Sequence, residues 1–255
     1  MTGRRGVIWR TPNITADGLK IFACTIMLIQ TIGITVIGKG MVHLSDYTQA
    51  GLNEALADDP DLMVLAGLAS VMQILGGLAV PVFAYLLVEG FKNTSSYSRY
   101  LTAMFVFALI SEIPYDLAGS QKIVDFSSQN ALVTMCISLL MLYFLRMLED
   151  KKGFAYVFFR IVIVLCAVLW VTILRAQYGL CIVLLVANFY VFYRKNVLKV
   201  ILGVIVSILY VTGPIAFYIL WCYNEERKDK LPKYAYYIFY PLHLLVCGLI
   251  TKFFL

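Results

Sequence analysis

Two carboxylates and a proline sit together in Ser111-Glu112-Ile113-Pro114-Tyr115-Asp116, at the end of an otherwise apolar segment, residues 101–117, of membrane-crossing length. Charge is expensive in hydrocarbon, so an acid at that depth reads first as a functional group. Glu112 and Asp116 are four residues apart and share one face of a helix, with Ser111 and Tyr115 on the neighbouring stripe. Two carboxylates one turn apart in low dielectric do not both ionise cheaply, which suits one of them to general acid or base work. The plainer alternative leaves Asp116 in the outer headgroup zone and Glu112 bonding a neighbouring helix.

His243 is the second candidate base. It follows Tyr240 and Pro241 near the middle of the last apolar run, with Tyr240 and Tyr236 on the same helical face. A core histidine satisfied by a backbone carbonyl is the ordinary alternative. His43 follows the first apolar run on the opposite side of the membrane. Glu89, followed by Asn93 and Thr94, closes the second run, either as an interfacial partner of Lys92 or Arg99 or as a substrate contact. Gln129, Asn130 and Thr134 open the fourth run, where Asn130 caps a helix or lies near the paired acids. Arg160, roughly 9 Å into its run at 1.5 Å per residue, either snorkels to the surface or lines an anion pocket. The six cysteines all lie in or beside apolar runs without a C-x-x-C pair, and read as small core residues. Cys247 shares a face with His243, but two ligands are too few for structural zinc, so no metal is expected.

These groups must be positioned by helices. The 255-residue chain is 61% hydrophobic and 14% charged, with a mean hydropathy of +0.83, whereas soluble domains are about 45–50% apolar. A net charge of +6 is spread through short loops with no basic patch, which argues for topology rather than nucleic acid. The sequence therefore reads as an all-α polytopic bundle in one domain, residues 1–255. About eight membrane-spanning helices are expected, near 19–38, 62–88, 100–118, 131–148, 154–175, 177–193, 197–222 and 234–255. The first run is too long for a signal-peptide core and lacks a cleavage site, so it is expected to remain as the first span.

Basic residues set the orientation. Arg4, Arg5 and Arg10, then Lys92 and Arg99, then Arg146, Lys151 and Lys152, then Arg194 and Lys195 share one side if the spans alternate, and that side is expected to be the cytoplasm. The acidic loop 41–61 falls opposite, with a short surface helix expected around Leu52-Asn53-Glu54-Ala55-Leu56-Ala57. One loop conflicts: residues 224–233 carry Arg227, Lys228, Lys230 and Lys233, yet eight spans place them outside. Either the count is off by one, around Pro214, or the loop is an exception. Breaks are expected near 76–81, where Gly76-Gly77 precedes Pro81, and at Pro114, Pro214 and Pro241, freeing the carbonyls of Gly77, Ile110, Tyr210 and Tyr237.

Gly18-Leu19-Lys20, residues 81–91 ending in Glu89-Gly90-Phe91, residues 108–117 with Ser111-Glu112-Ile113-Pro114-Tyr115-Asp116-Leu117, Gln129-Asn130 with Thr134, Tyr178-Gly179, and Tyr240-Pro241-Leu242-His243-Leu244 form a series of blocks. Together they resemble the TraX family of conjugal-transfer proteins. The match runs in order over nearly the whole chain. The resemblance implies an association with amino-terminal acetylation of pilin, and a likeness to polytopic acyltransferases that draw on a cytoplasmic donor such as acetyl-CoA. Two positions depart from the family pattern: Gln30-Thr31 stands where an Asp-His pair is usual, and Ala176-Gln177 precedes Tyr178 where an acid is usual.

The expectation is therefore a membrane acyltransferase in a bacterial plasma membrane, amino terminus cytoplasmic, acetylating an amine or hydroxyl of a peptide, lipid or glycan. Glu112, Asp116, His243 or His43 supplies the base. Ser111, Glu89, Asn93, Gln129, Asn130 and Tyr240 contact the acceptor, and Lys20, Arg99 and Arg160 bind the donor's phosphates. Its partners are the acyl-CoA donor, the acceptor and membrane lipids. The alternatives are an accessory protein that has lost the first-span histidine or, with less support because no internal repeat is visible, a small-solute transporter.

Overall fold

Short polar side chains start the helices. Thr15 accepts the Gly18 amide and opens α1, Ala16–Thr31. Thr48 caps the surface helix α2, Gln49–Asp58, where the acidic loop was expected to form one. Asp59 accepts from Asp61 and Leu62 and is followed by Pro60 at the first turn of α3, Pro60–Leu75. Ser96 opens α5, Tyr97–Ser120, and Asn130 opens α6, Ala131–Met147. The remaining helices are α4 (Ala79–Asn93), α7 (Phe154–Ile173), α8 (Gly179–Val191), α9 (Asn196–Ser207), α10 (Ala216–Trp221) and α11 (Ala235–Phe254). The computed structural model describes residues 14–224, 232 and 234–255. Arg4, Arg5, Arg10, Arg227, Lys228, Lys230 and Lys233 lie outside the described residues.

The described residues contain helices and two isolated backbone bridges, with no strand. Five helical stretches are long and apolar enough to cross a membrane: Ala16–Met41, Pro60–Asn93, Tyr97–Ser120, Phe154–Ile173 and Ala235–Phe254. Shorter α6 and α8 also run from one end of the bundle to the other. Gln129 pairs with Ala176 at one end, and Tyr190 donates to Glu149 at the opposite end.

The seventh apolar run, residues 197–222, is a hairpin rather than one long helix. α9 leaves the end marked by Lys199, whose ammonium lies over the Tyr193 ring, and the chain turns at residues 208–215. α10 then returns to the end from which α9 started. There Cys222 and Asn224 bracket Ile14 with backbone bonds of 3.0 and 3.1 Å, just before α1 begins. Asn224 and Tyr234, on either side of the conflicting basic loop, therefore both lie at the end where α1 starts. A hairpin takes the place of the expected span at 197–222, which brings both ends of the conflicting loop to the side where α1 starts.

Only two of the four expected breaks form. The Pro60–Asn93 segment tightens to a 3₁₀ turn at Gly76–Leu78, and the hairpin turns through Gly213–Ile215. Each break carries a glycine where a side chain has no room: a Cβ on Gly76 would meet Gln30 at 2.1 Å, and one on Gly213 would meet the Ser207 carbonyl at 2.5 Å. The carbonyl of Tyr210 is bonded by the Gly213 amide. Pro114 and Pro241 sit inside unbroken helices. Proline holds a near-helical φ and removes one bond, and at these two positions the helix continues through it.

Beyond Thr31, α1 continues as a ten-residue π-helical segment, Ile32–Met41. Such wide turns are rare and frequent near functional sites. This segment closes α5: Lys39 donates to the Gly119 and Ala118 carbonyls and Thr35 also bonds Ala118, meeting orphan carbonyls at the helix end with a cation. Thr251 of α11 in turn donates to the Thr35 carbonyl at 3.0 Å. α1, α5 and α11 thus run parallel and in register. The dry core lies beside them, where Leu139, Leu142, Val183, Leu185 and Val186 are fully buried. α7 sits on the outside and buries only Ala167 and Val171. Five cysteines are buried as expected, but Cys166 lies on the outward face of α7 and is exposed.

Candidate functional site

A cavity of about 760 Å³ runs between α1, α4, α5 and α11 and reaches the amino ends of α6 and α8. Lys20, Asn93 and Arg99 line one end, while Asp116, Asp125 and Lys39 line the other. Arg99 and Asp116 are both on α5, about 25 Å apart at 1.5 Å per residue. The cavity therefore extends through most of a hydrocarbon thickness.

His243 lies on the wall near the middle. Its Nδ1 is 2.9 Å from the Phe239 carbonyl, which can only accept, so Nδ1 carries the proton. That leaves Nε2, which is buried and has no hydrogen-bond partner. The ring is 5% exposed, stacked on Phe239 and edge-on to Tyr240. A histidine on a cavity wall, fixed through one nitrogen and with no hydrogen-bond partner at the other, has the chemistry of a general base. The Tyr240 oxygen accepts the Ala131 amide at the start of α6 at 3.2 Å, leaving its O–H to donate.

Of the residues singled out from sequence, Lys20, Asn93, Arg99, Asp116, Tyr240 and His243 line this cavity. Lys20 pairs with Asp17 at 3.3 Å and lies over the Tyr236 ring. Asp116 uses Oδ2 to accept the Asp125 amide at 2.7 Å and so holds the loop after α5. In that loop Asp125 is half-buried; the Ser127 amide, then the Ser120 and Ser127 hydroxyls, and finally Lys122 hold its carboxyl below the usual range.

The others sit elsewhere. Asn130 is fully buried between α5 and α6, donating to Glu112 and to the Ala108 carbonyl while its oxygen accepts from Leu132. Glu112 meets Asn130 there through Oε2, while Oε1 is buried without a partner, and neither residue lines the cavity. Ser111 bonds back to the Phe107 carbonyl at 2.6 Å. Gln129 joins the two loops at its end through backbone bonds with Arg175 and Gln177. Glu89 accepts at 3.0 Å from Tyr193, two residues past the end of α8, and Asn93 bonds the Glu89 carbonyl. Arg160 snorkels: its guanidinium bonds the carbonyls of Leu148, Glu149 and Lys151 at the end of α6. His43 is exposed in the loop after the π-helical segment, at a left-handed φ of 55°.

Sequence reasoning missed Lys39, Thr35 and Asp125 as cavity residues. Lys39 had a signal, a lone cation in Gly38-Lys39-Gly40 at the end of an apolar run, but Asp125 had none. It also did not pair Gln30 with Tyr178, although both were noted. The Tyr178 hydroxyl donates to Gln30 Oε1 at 2.8 Å in the middle of the cavity, from a left-handed backbone with φ 57°. Thr31 bonds back to the Met27 carbonyl.

Fold and cavity define a helical membrane protein with a polar site enclosed in its bundle. The family model described as TraX protein matches residues 15–251, and the chain belongs to the TraX family. No curated protein and no solved structure matches it.

Proposed function

We propose that this chain is a membrane-embedded acyltransferase of a bacterial plasma membrane, amino terminus cytoplasmic, moving an acetyl group from acetyl-CoA to an amine or hydroxyl of a peptide, lipid or glycan. The observation that carries this reading is His243: a ring anchored to a carbonyl through Nδ1, with Nε2 buried and unpartnered on the wall of a large cavity. Membership of a family associated with conjugal transfer and pilin acetylation supports it.

Acetyl-CoA supplies a thioester. Nε2 takes the proton of the attacking amine or hydroxyl, and the Tyr240 O–H donates toward the acyl oxygen as negative charge grows there. Lys20 and Arg99 suit the donor's phosphates, while Arg160 is committed to backbone carbonyls and drops out of that role. Asp116, expected as a base, becomes an acceptor contact in this proposal, whereas Asn93, expected as an acceptor contact, lies with Lys20 and Arg99 at the donor end. The test is mass spectrometry of the purified protein, with co-purified lipid and peptide, after incubation with isotope-labelled acetyl-CoA in detergent. Label on an acceptor is expected; absence of both label and donor binding would sink the assignment.

One observation favours a second reading, an accessory protein without activity. Where the family usually carries Asp-His, Gln30 and Thr31 are satisfied by Tyr178 and by a backbone carbonyl, and neither is a base. That reading expects no transfer by the native chain, and measurable transfer once Gln30→Asp and Thr31→His are introduced together.

A further inference from the structure

Tyr178 holds a left-handed backbone, φ 57°, where a bulky side chain is rare and is kept only by what surrounds it. Its neighbours fix it from several sides. Thr134 donates to the Gln177 carbonyl at 2.8 Å, and the Gln177 amide donates to the Gln129 carbonyl at 2.8 Å. The Tyr210 ring, from the turn between α9 and α10, meets the Tyr178 ring edge-on with centroids 5.2 Å apart. From this position the phenol reaches α1, where its hydroxyl donates to Gln30 Oε1 at 2.8 Å.

That bond sets which way the Gln30 carboxamide points. With Oε1 taken by Tyr178, Nε2 offers two N–H donors. Among the described residues its one bonded acceptor is the Gln73 carbonyl at 3.5 Å, the outer limit of a hydrogen bond. At least one N–H is therefore uncommitted, on a residue that lines the cavity and packs against the bare backbone of Gly76. Tyr240 is the other donor on this wall: its oxygen accepts the Ala131 amide, and its O–H remains. The Tyr178 hydroxyl lies within electrostatic reach of the Tyr240 hydroxyl, so the Gln30–Tyr178 pair and Tyr240 share one region of the cavity. His243 follows Tyr240 by three residues on α11.

We infer that the Gln30 carboxamide is a second oxyanion donor beside Tyr240, and that Tyr178 is the residue that positions it. This rests on the acyltransferase reading. As the acceptor's nitrogen or oxygen bonds to the acyl carbon, its proton passes to Nε2 of His243 and the carbonyl π pair moves onto the acyl oxygen. A Gln30 N–H and the Tyr240 O–H hold that charge without giving up a proton, and because both are oriented beforehand they need no reorganisation to do so. When the pair falls back, the C–S bond breaks and Nε2 returns the proton to the departing thiolate.

The test binds acetyl-CoA, isotope-labelled at the acetyl carbonyl carbon, to the purified native protein, to Gln30→Glu and to Tyr178→Phe, and reads the thioester carbonyl stretch by isotope-edited infrared difference spectroscopy. Gln30→Glu keeps the shape of the side chain and still accepts from Tyr178, but its carboxylate has no donor. The native stretch is expected at a lower frequency than that of free acetyl-CoA. Gln30→Glu should return it part of the way, and Tyr178→Phe should broaden it as the carboxamide loses its fixed orientation. In the transfer assay Gln30→Glu should lower kcat by about 10²–10³-fold with little change in KM for acetyl-CoA. Where Gln30→Glu does not fold, Gln30→Met carries the same expectation with an apolar side chain of equal length. A native stretch and native kcat in these variants, or a loss confined to KM, would overturn the inference and leave the enzyme reading standing. No bound thioester signal and no transfer by the native protein would defeat both.

Discussion

The wall around His243 and the seam around Glu112 each bury a polar atom without a partner, yet they differ in what surrounds it. His243 lines a cavity, while Glu112 is wedged against Asn130 between α5 and α6 and does not. Both residues follow or precede a proline inside a helix, and both are the kind of group that intramembrane chemistry uses. The lesson is that an acid in an apolar run marks a polar element, but access decides whether that element is a site or a joint. Asn130 serves as helix cap, partner of Glu112 and partner of the Ala108 carbonyl at once, which is what a joint requires.

Variants can break this distinction. The largest effect is expected in the dry core beside both regions: Leu185→Ala, fully buried on α8, should cost about 2–5 kcal/mol, read as a lower melting temperature in detergent. On the cavity wall, Tyr240→Phe should slow transfer by about 10²–10³-fold through loss of one hydrogen-bond donor. It should cost little stability beyond the Ala131 contact; a variant at native rate would remove Tyr240 from the chemistry. In the seam the pattern should invert. Asn130→Ala should destabilise by about 1–3 kcal/mol, since it strips partners from buried groups and uncaps α6, while the folded fraction keeps its rate. A folded, stable Asn130→Ala that has lost transfer would make the seam part of the site.

The smallest effect concerns the loop after α5. Asp125 is held below its usual pKa by the Ser127 amide first. Its contribution is therefore present above the unfolded value of about 3.9 and lost as pH falls through the lower folded value. Melting measured between about pH 6 and pH 2.5 should show a shallow loss of stability below about pH 4. That loss should be reduced in Asp125→Asn; identical profiles would show that the loop does not depend on this carboxylate.

Much of the fold was legible because membranes demand long apolar helices, and every apolar run is helical. The exception is instructive. Residues 197–222 have the length and apolarity of a span, and only the basic residues that follow hinted that the run turns back at Gly213-Pro214. Proline alone did not predict breaks; proline with glycine did. That His243 and Tyr240 line one cavity agrees with their shared helical face, read from the sequence with Pro241 between them. The surroundings of Glu112 were not legible, because helical spacing gives the face of a residue but not what that face meets. Lys39 and Asp125 come to the cavity only through the packing of α1 on α5 and the loop that Asp116 holds, which are long-range facts.

The most direct test compares His243→Gln with Glu112→Gln, each checked for an unchanged elution profile and incubated with isotope-labelled acetyl-CoA. The account predicts that His243→Gln loses about 10²–10⁴-fold in labelled product, while Glu112→Gln labels at near the native rate. Loss of label in Glu112→Gln with full labelling in His243→Gln would contradict it and move the base from the cavity wall to the seam.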